Sequence, residues 1–314
     1  MQLFTTTLGQ MAVLFSLILI GYALAKAKIL PDGSAGVLSK LENWVFIPAL
    51  VVMTFVTDFT RDKLTVMWKP FLISFAVLAV FIPLALLFAR LLAGKDAYIR
   101  NIYAYGLSFS NFGFMGYAIV GAIFPEYNLE YIIFTLPLWI GIYVWGAPSL
   151  LMSEAGEKQT IGKRLKALVN PMCIAMVVGM LIGFFGLELP NWISDTLTAA
   201  KGCMSPIAML LTGMTVAAID LKKVFAGLNI YLISIVRLLV FPAIGLAALY
   251  FLPLPISTET CILCSLAMPL GLNTIVIPAG YGKDTTAAAS MAIVSHILSC
   301  GTIPLVLMLA EKIL

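Results

Sequence analysis

SFSNFGFMGY, residues 108–117, interrupts a long apolar run with two serines, an asparagine and two glycines. Glycine weakens a helix, and an asparagine side chain in hydrocarbon is costly. A membrane span must satisfy every backbone polar group internally, so irregular backbone at membrane depth is tolerated only where it is buried in protein or lines a cavity. The stretch is therefore either a surface loop or the break of a helix that lines something.

The surrounding chain decides between these. Of 314 residues, 61% are hydrophobic and only 11% are charged. The mean hydropathy is +1.04. A soluble domain carries about 25% charged residues, so this chain cannot cover a water-facing surface. The fold class is an all-α polytopic membrane protein, with the lipid bilayer as its solvent. A basic, aromatic-rich face for nucleic acid is absent from the sequence, and no histidine–carboxylate cluster marks a metal site. The five cysteines, including the C-x-x-C pair Cys261 and Cys264, lie in or beside apolar runs and read as small buried hydrophobes. No cofactor is expected.

A span needs about 20 apolar residues. Ten are expected, at 8–26, 42–57, 70–92, 102–124, 131–152, 171–187, 203–219, 227–251, 259–281 and 286–310. The short ones at 42–57 and 203–219 are expected to start earlier as amphipathic helices. The polar segment SEAGEKQTIGKRLK divides the chain almost in half, which gives a first unit at 1–152, a linker at 153–169 and a second unit at 170–314. The halves correspond: Pro31 and Pro190 precede the second and seventh spans, Pro48 answers Pro206, and Pro83 answers Pro242, at offsets of 159, 158 and 159. Five spans per half is an odd number, so the second half enters the membrane inverted. Such inverted repeats are a transporter architecture.

The basic residues set the orientation. With both termini outside and the central loop cytoplasmic, 13 of the 19 Lys and Arg fall inside, five fall outside, and Arg237 lies within a span. That is the positive-inside pattern. Short loops and compact length suit a bacterial cytoplasmic membrane.

Under this map SFSNFGFMGY is the centre of the fourth span. The ninth span is interrupted at the corresponding place by MPLGLNTIVIP. Paired interruptions in two inverted halves are the best sequence pointer to a transporter's binding site. Broken helices expose backbone N–H groups at a half-helix N-terminus, which favours an anion. Asn111 and Asn273 add amides, Ser110 and Thr274 add hydroxyls, and Gly113, Gly116, Pro269 and Gly271 permit the breaks. A carboxylate fits this set. The competing reading makes Gly113 and Gly116 sites of close helix packing.

At these residues the chain resembles the auxin efflux carrier family of membrane transporters. The resemblance runs through LSKLENWVFIPAL, SNFGFMGYAIVGAIFP, VNPMCIAMVVGMLIG, SPIAMLLTGMTVA, VRLLVFPAIG and MPLGLNTIVIPAGYGKD, and so spans essentially the whole chain. It implies ten spans in two inverted repeats, a crossover of broken helices 4 and 9, small organic anions as substrates, and a homodimer. It matches Asn111 and Gly116 to the family's crossover asparagine and glycine, and Asn170-Pro171 to an Asn-Pro that opens the sixth span. The family's crossover prolines fall here at Ala118 and near Thr274, where this chain departs from the pattern.

Three ionisable groups are candidates for charge or coupling. Arg237 lies inside the eighth span, where it either snorkels, pairs with carbonyls of the broken ninth span, or attracts an anion. Glu42, at the edge of the second span, is expected at the interface. His296 is the only histidine. Ser299 and Cys300 share its helix face, which raises an intramembrane hydrolase as a rival class. No acidic orienting residue or glycine-rich loop accompanies that pair. The chain is expected to be a non-enzymatic carrier that moves a small organic anion across the membrane by alternating access, with H+ or Na+ as the candidate coupling ion. A channel or ligand sensor on the same scaffold is the alternative.

Overall fold

The computed structural model describes residues 2–31, 33–152, 168–217, 227–280 and 282–314, together with 160, 162 and 166. Most of the expected linker at 153–169 lies outside the described residues. Among those described, the chain is all-helical, without strands.

The helices are α1 (Gln2–Lys26), α2 (Ser34–Asp58), α3 (Arg61–Leu92), α4 (Ala97–Ser108), α5 (Phe112–Ile123), α6 (Pro125–Leu151), α7 (Pro171–Phe185), α8 (Asn191–Ala217), α9 (Leu228–Phe251), α10 (Ile256–Ala267), α11 (Asn273–Gly280) and α12 (Thr286–Ile313). Six of them, α1, α2, α3, α6, α9 and α12, are long and apolar enough to cross a membrane. The segments expected to be short at 42–57 and 203–219 do start earlier, at Ser34 and Asn191.

Local sequence sets the helix ends. Asp96 caps α4 by accepting a hydrogen bond from the Ile99 N–H at 3.0 Å. Asn170 caps α7 through the Cys173 N–H at 3.1 Å, and Pro171 occupies the first turn, where its missing N–H costs nothing. Gly186, with φ of 62°, ends α7 in the left-handed conformation that glycine tolerates best. Some ends recur at a fixed interval: Lys26 and Phe185, Leu92 and Phe251, and Ser108 and Ala267 are each 159 positions apart.

α1 lies against α8, and α2 against α7 and α8. The approach is close because of glycine. A Cβ on Gly213 would collide with the carbonyl of Ile18, and one on Gly21 with that of Leu210. Gly179 and Gly183 bring α7 equally near the backbone of Val52 and Phe55. Without water to drive association, such small-residue contacts hold helices together by packing alone. The second group, α4–α6 with α9–α12, is the more heavily buried and holds the aromatic core of Tyr105, Phe109, Tyr131, Phe134 and Phe241.

Candidate functional site

Two helices break and meet. α10 ends because Pro269 follows Met268, which is held extended at φ −66° and ψ 144°, as a residue before proline prefers. α4 ends at Phe109, also extended, at φ −125° and ψ 101°, without a proline to dictate it. Instead Ser110 and Leu270 pair as an isolated antiparallel bridge. The Asn111 N–H donates to the Pro269 carbonyl at 2.7 Å. Gly271 allows the approach: a Cβ there would sit 3.1 Å from the Phe109 carbonyl oxygen and 3.2 Å from that of Ser110. The helical run restarts as a π-turn over Phe112–Gly116 and, on the other strand of the crossing, as α11 at Asn273.

Freed carbonyls need donors, and one residue supplies them. The buried guanidinium of Arg237 donates from Nε to Met268 at 3.1 Å, from Nη1 to Leu107 at 2.9 Å and from Nη2 to Ser265 at 2.7 Å. These carbonyls lie at the C-terminal ends of α4 and α10, where the helix dipole is negative, so a cation is favoured there. Of the readings open for Arg237, pairing with carbonyls is the one observed, and it reaches both broken helices rather than one. Ser110 Oγ also donates to the Ser265 carbonyl, at 3.0 Å.

α12 holds the crossing from behind. Ser295 Oγ accepts from the Leu270 N–H at 3.2 Å. His296 sits with Nδ1 2.7 Å from the Ala292 carbonyl and Nε2 3.0 Å from the Asn111 amide nitrogen. A carbonyl can only accept, so Nδ1 carries the ring proton and Nε2 accepts from Asn111. Ser299 donates to the His296 carbonyl at 2.7 Å, not to its ring.

The candidate residues separate into two sets. Ser110, Asn111, Pro269, Gly271 and Thr274 build the crossing itself, and Thr274 bonds back to the Gly271 carbonyl at 2.8 Å. Gly113 lies under the Trp139 ring and Gly116 under the Tyr131 hydroxyl, both as close packing positions. Asn170 serves α7 as its cap. Asn273 alone of the nine residues expected around substrate lines the large cavity, and its amide donates to the Tyr105 hydroxyl at 3.3 Å.

That cavity has a volume of about 530 Å³ and lies between α2 and α8 on one side and α5, α6 and α11 on the other. Its polar groups come from Ser39, Asn43, Tyr143, Thr215 and Asn273, with no charged side chain among its lining residues. Trp139 and Tyr143 stack at 6.0 Å between centroids and 17° between planes, which makes a flat aromatic wall. A second cavity of about 270 Å³ is lined by mostly apolar residues of α1, α8 and α12, together with Tyr22, Thr212 and His296. Composition and spacing missed Ser39, Asn43, Tyr143 and Thr215, because each is ordinary in its own helix and becomes a wall only when two helix groups face each other.

Glu42, expected at the membrane interface, is fully enclosed by neighbouring helices, in a π-turn over Glu42–Phe46 within α2.

Taken together, an all-helical apolar chain with broken helices meeting beside a polar-walled cavity is a membrane transporter. The chain belongs to the membrane transport protein family, the auxin efflux carrier family of the resemblance above, whose model matches residues 6–307. Members of that family are transporters rather than enzymes. A search of curated proteins returned no match.

Proposed function

We propose that this protein is a secondary carrier that moves a small organic anion out of the cell by alternating access. The observation that carries the reading is the cavity between the α2/α8 wall and the α5/α6/α11 wall, with Asn273 of the broken helix on its surface. A site enclosed between two helix groups opens to the other side when one group rocks against the other. On this reading α4–α5 and α10–α11 are the fourth and ninth of ten spans in two inverted repeats. The recurrence of helix ends at 159 positions supports it.

The cavity contains the loop-side ends of α2, α6, α8 and α11, so in this conformation it faces the cytoplasm if the basic residues set the orientation. The carboxylate of the substrate is met by the Asn273 amide and the N-terminus of α11, where the partial charge is positive. Its apolar part lies along Trp139 and Tyr143. Lacking a fixed cation, the wall holds an anion through neutral donors, which keeps release possible.

The test is uptake by purified protein in liposomes across a panel of mono- and dicarboxylates, with wild type beside Asn273→Ala. Saturable flux that is lost in the variant is expected. Flux without saturation would make the protein a channel, and saturable binding without flux a sensor.

A further inference from the structure

Three glutamates are buried among the described residues, and they are not equivalent. Glu130 accepts a hydrogen bond from the Thr258 hydroxyl, and Glu259 accepts one from the Leu254 N–H at 2.9 Å. Glu42 is 0% exposed, and neither carboxyl oxygen has a hydrogen-bond partner among the described residues. An ionised carboxylate has about four lone-pair sites to satisfy. Enclosing it without donors or a counter-charge is far costlier than enclosing the neutral acid.

Among the described residues, the elements packed against Glu42 supply no cation beside it. The turn that holds Glu42 packs against α7 and α8 as well as the rest of α2. On α2 itself, Lys40 is exposed, and Asp58 is 16 residues on, about 24 Å along the axis. α8 presents Leu211 and Thr215 to the same cavity as Ser39 and Asn43; its Lys201 lies ten residues before Leu211, about 15 Å away, and Asp195 farther still. α7 carries only the thiol of Cys173.

Position adds a second observation. Ser39, one turn before, and Asn43, the next residue, line the large cavity, while Glu42 is enclosed and does not line it. The turn is π-helical, a local widening that recurs at functional sites and that can shift by one residue without breaking the helix. A small rotation of this turn would carry the carboxyl from its enclosure to the cavity wall beside Asn43.

We propose that Glu42 is a proton-binding site: it holds a proton while enclosed in this conformation, and exchanges it with the cavity when α2 turns, so that anion movement is coupled to a proton. The coupling rests on the carrier reading above. The resident proton does not.

Two measurements on the intact protein separate them. Infrared difference spectra of wild type minus Glu42→Gln, at neutral pH in H2O and D2O, should show the carbonyl stretch of a protonated carboxyl that shifts on deuteration. Carboxylate bands in its place would overturn the proton site. In liposomes, a one-unit pH difference should shift the wild-type accumulation ratio of a transported carboxylate about tenfold per coupled proton. In Glu42→Gln that ratio should fall to about one, while exchange of labelled for unlabelled anion continues. Retained pH-driven accumulation in the variant, or loss of exchange as well, would overturn the coupling. A wild-type protein that moves no carboxylate defeats the carrier reading and the coupling together, and the infrared result then still decides whether Glu42 carries a proton.

Discussion

Arg237 shows how much one residue can carry at membrane depth. Its guanidinium closes three carbonyls that the helix breaks set free, and no other side chain has the donors in that planar arrangement. Arg237→Ala leaves three buried carbonyls without a donor and should therefore destabilise the protein by about 3 kcal/mol or more, at about 1–3 kcal/mol for each stranded acceptor. Arg237→Lys should recover only part of this. Thermal unfolding in detergent measures both, and an Arg237→Ala protein as stable as wild type would remove Arg237 from its role. His296 and Asn111 form a second fixed pair. A double-mutant cycle between His296→Ala and Asn111→Ala should return a coupling of about 1 kcal/mol, the net worth of a buried hydrogen bond. Additive effects would mean that the contact contributes nothing. Sequence reading picked out all four of Arg237, His296, Asn111 and Asn273 by one criterion, that polar groups in apolar spans need a reason. It could not say which were partners. Asn111 and His296 are 185 positions apart, and nothing in either local pattern encodes their meeting.

At the scale of elements, the breaks were legible and the walls were not. Pro269 and Gly271 announce the end of α10, and the glycines and asparagine of SFSNFGFMGY announce that of α4. The four π-turns among the described residues, by contrast, share no sequence signature: ENWVF in α2, FGFMG in α5, IYVWGAPSLL in α6 and VRLLV in α9. A π-turn depends on what packs around the widened ring, so hydrophobic periodicity does not register it. The tight contact of α1 with α8 depends on Gly21 and Gly213. Gly213→Leu places a side chain where the Ile18 backbone lies, so α1 must move away. Loss of folded protein, read by gel-filtration profile after extraction, is the expected outcome. Gly9→Leu on α1, where nothing stands within 4 Å, should be silent. Equal behaviour of the two would show that α1 and α8 do not need to touch.

For the whole molecule, the cavity between the two helix groups predicts a pattern of access. In a background with its five cysteines replaced, a cysteine at Asn43 should react with a membrane-impermeant thiol reagent from the side of the central connection, and a transported anion should slow the reaction. A cysteine at Phe109, buried at the crossing, should stay unreactive from either side. Reaction of the Asn43 position from the opposite face alone would reverse the orientation read from the basic residues. Hydropathy foretold the all-helical membrane class. The cavity was out of reach, since it is a property of two groups placed face to face and of neither alone.

The crossing also has a history within each molecule's synthesis. The Leu107 carbonyl waits for a donor 130 residues farther along the chain, and the Asn111 N–H for an acceptor 158 residues on. At a translation rate of about 5–20 residues per second, the first half stands on the order of ten seconds with its central polar groups unclaimed. During that interval the membrane holds a helix whose break has no counterpart. The nascent first half must stay straight, stay wet, or lean on a chaperone until Arg237 and Pro269 arrive, and biogenesis rather than final stability is where lesions at the break would first be felt.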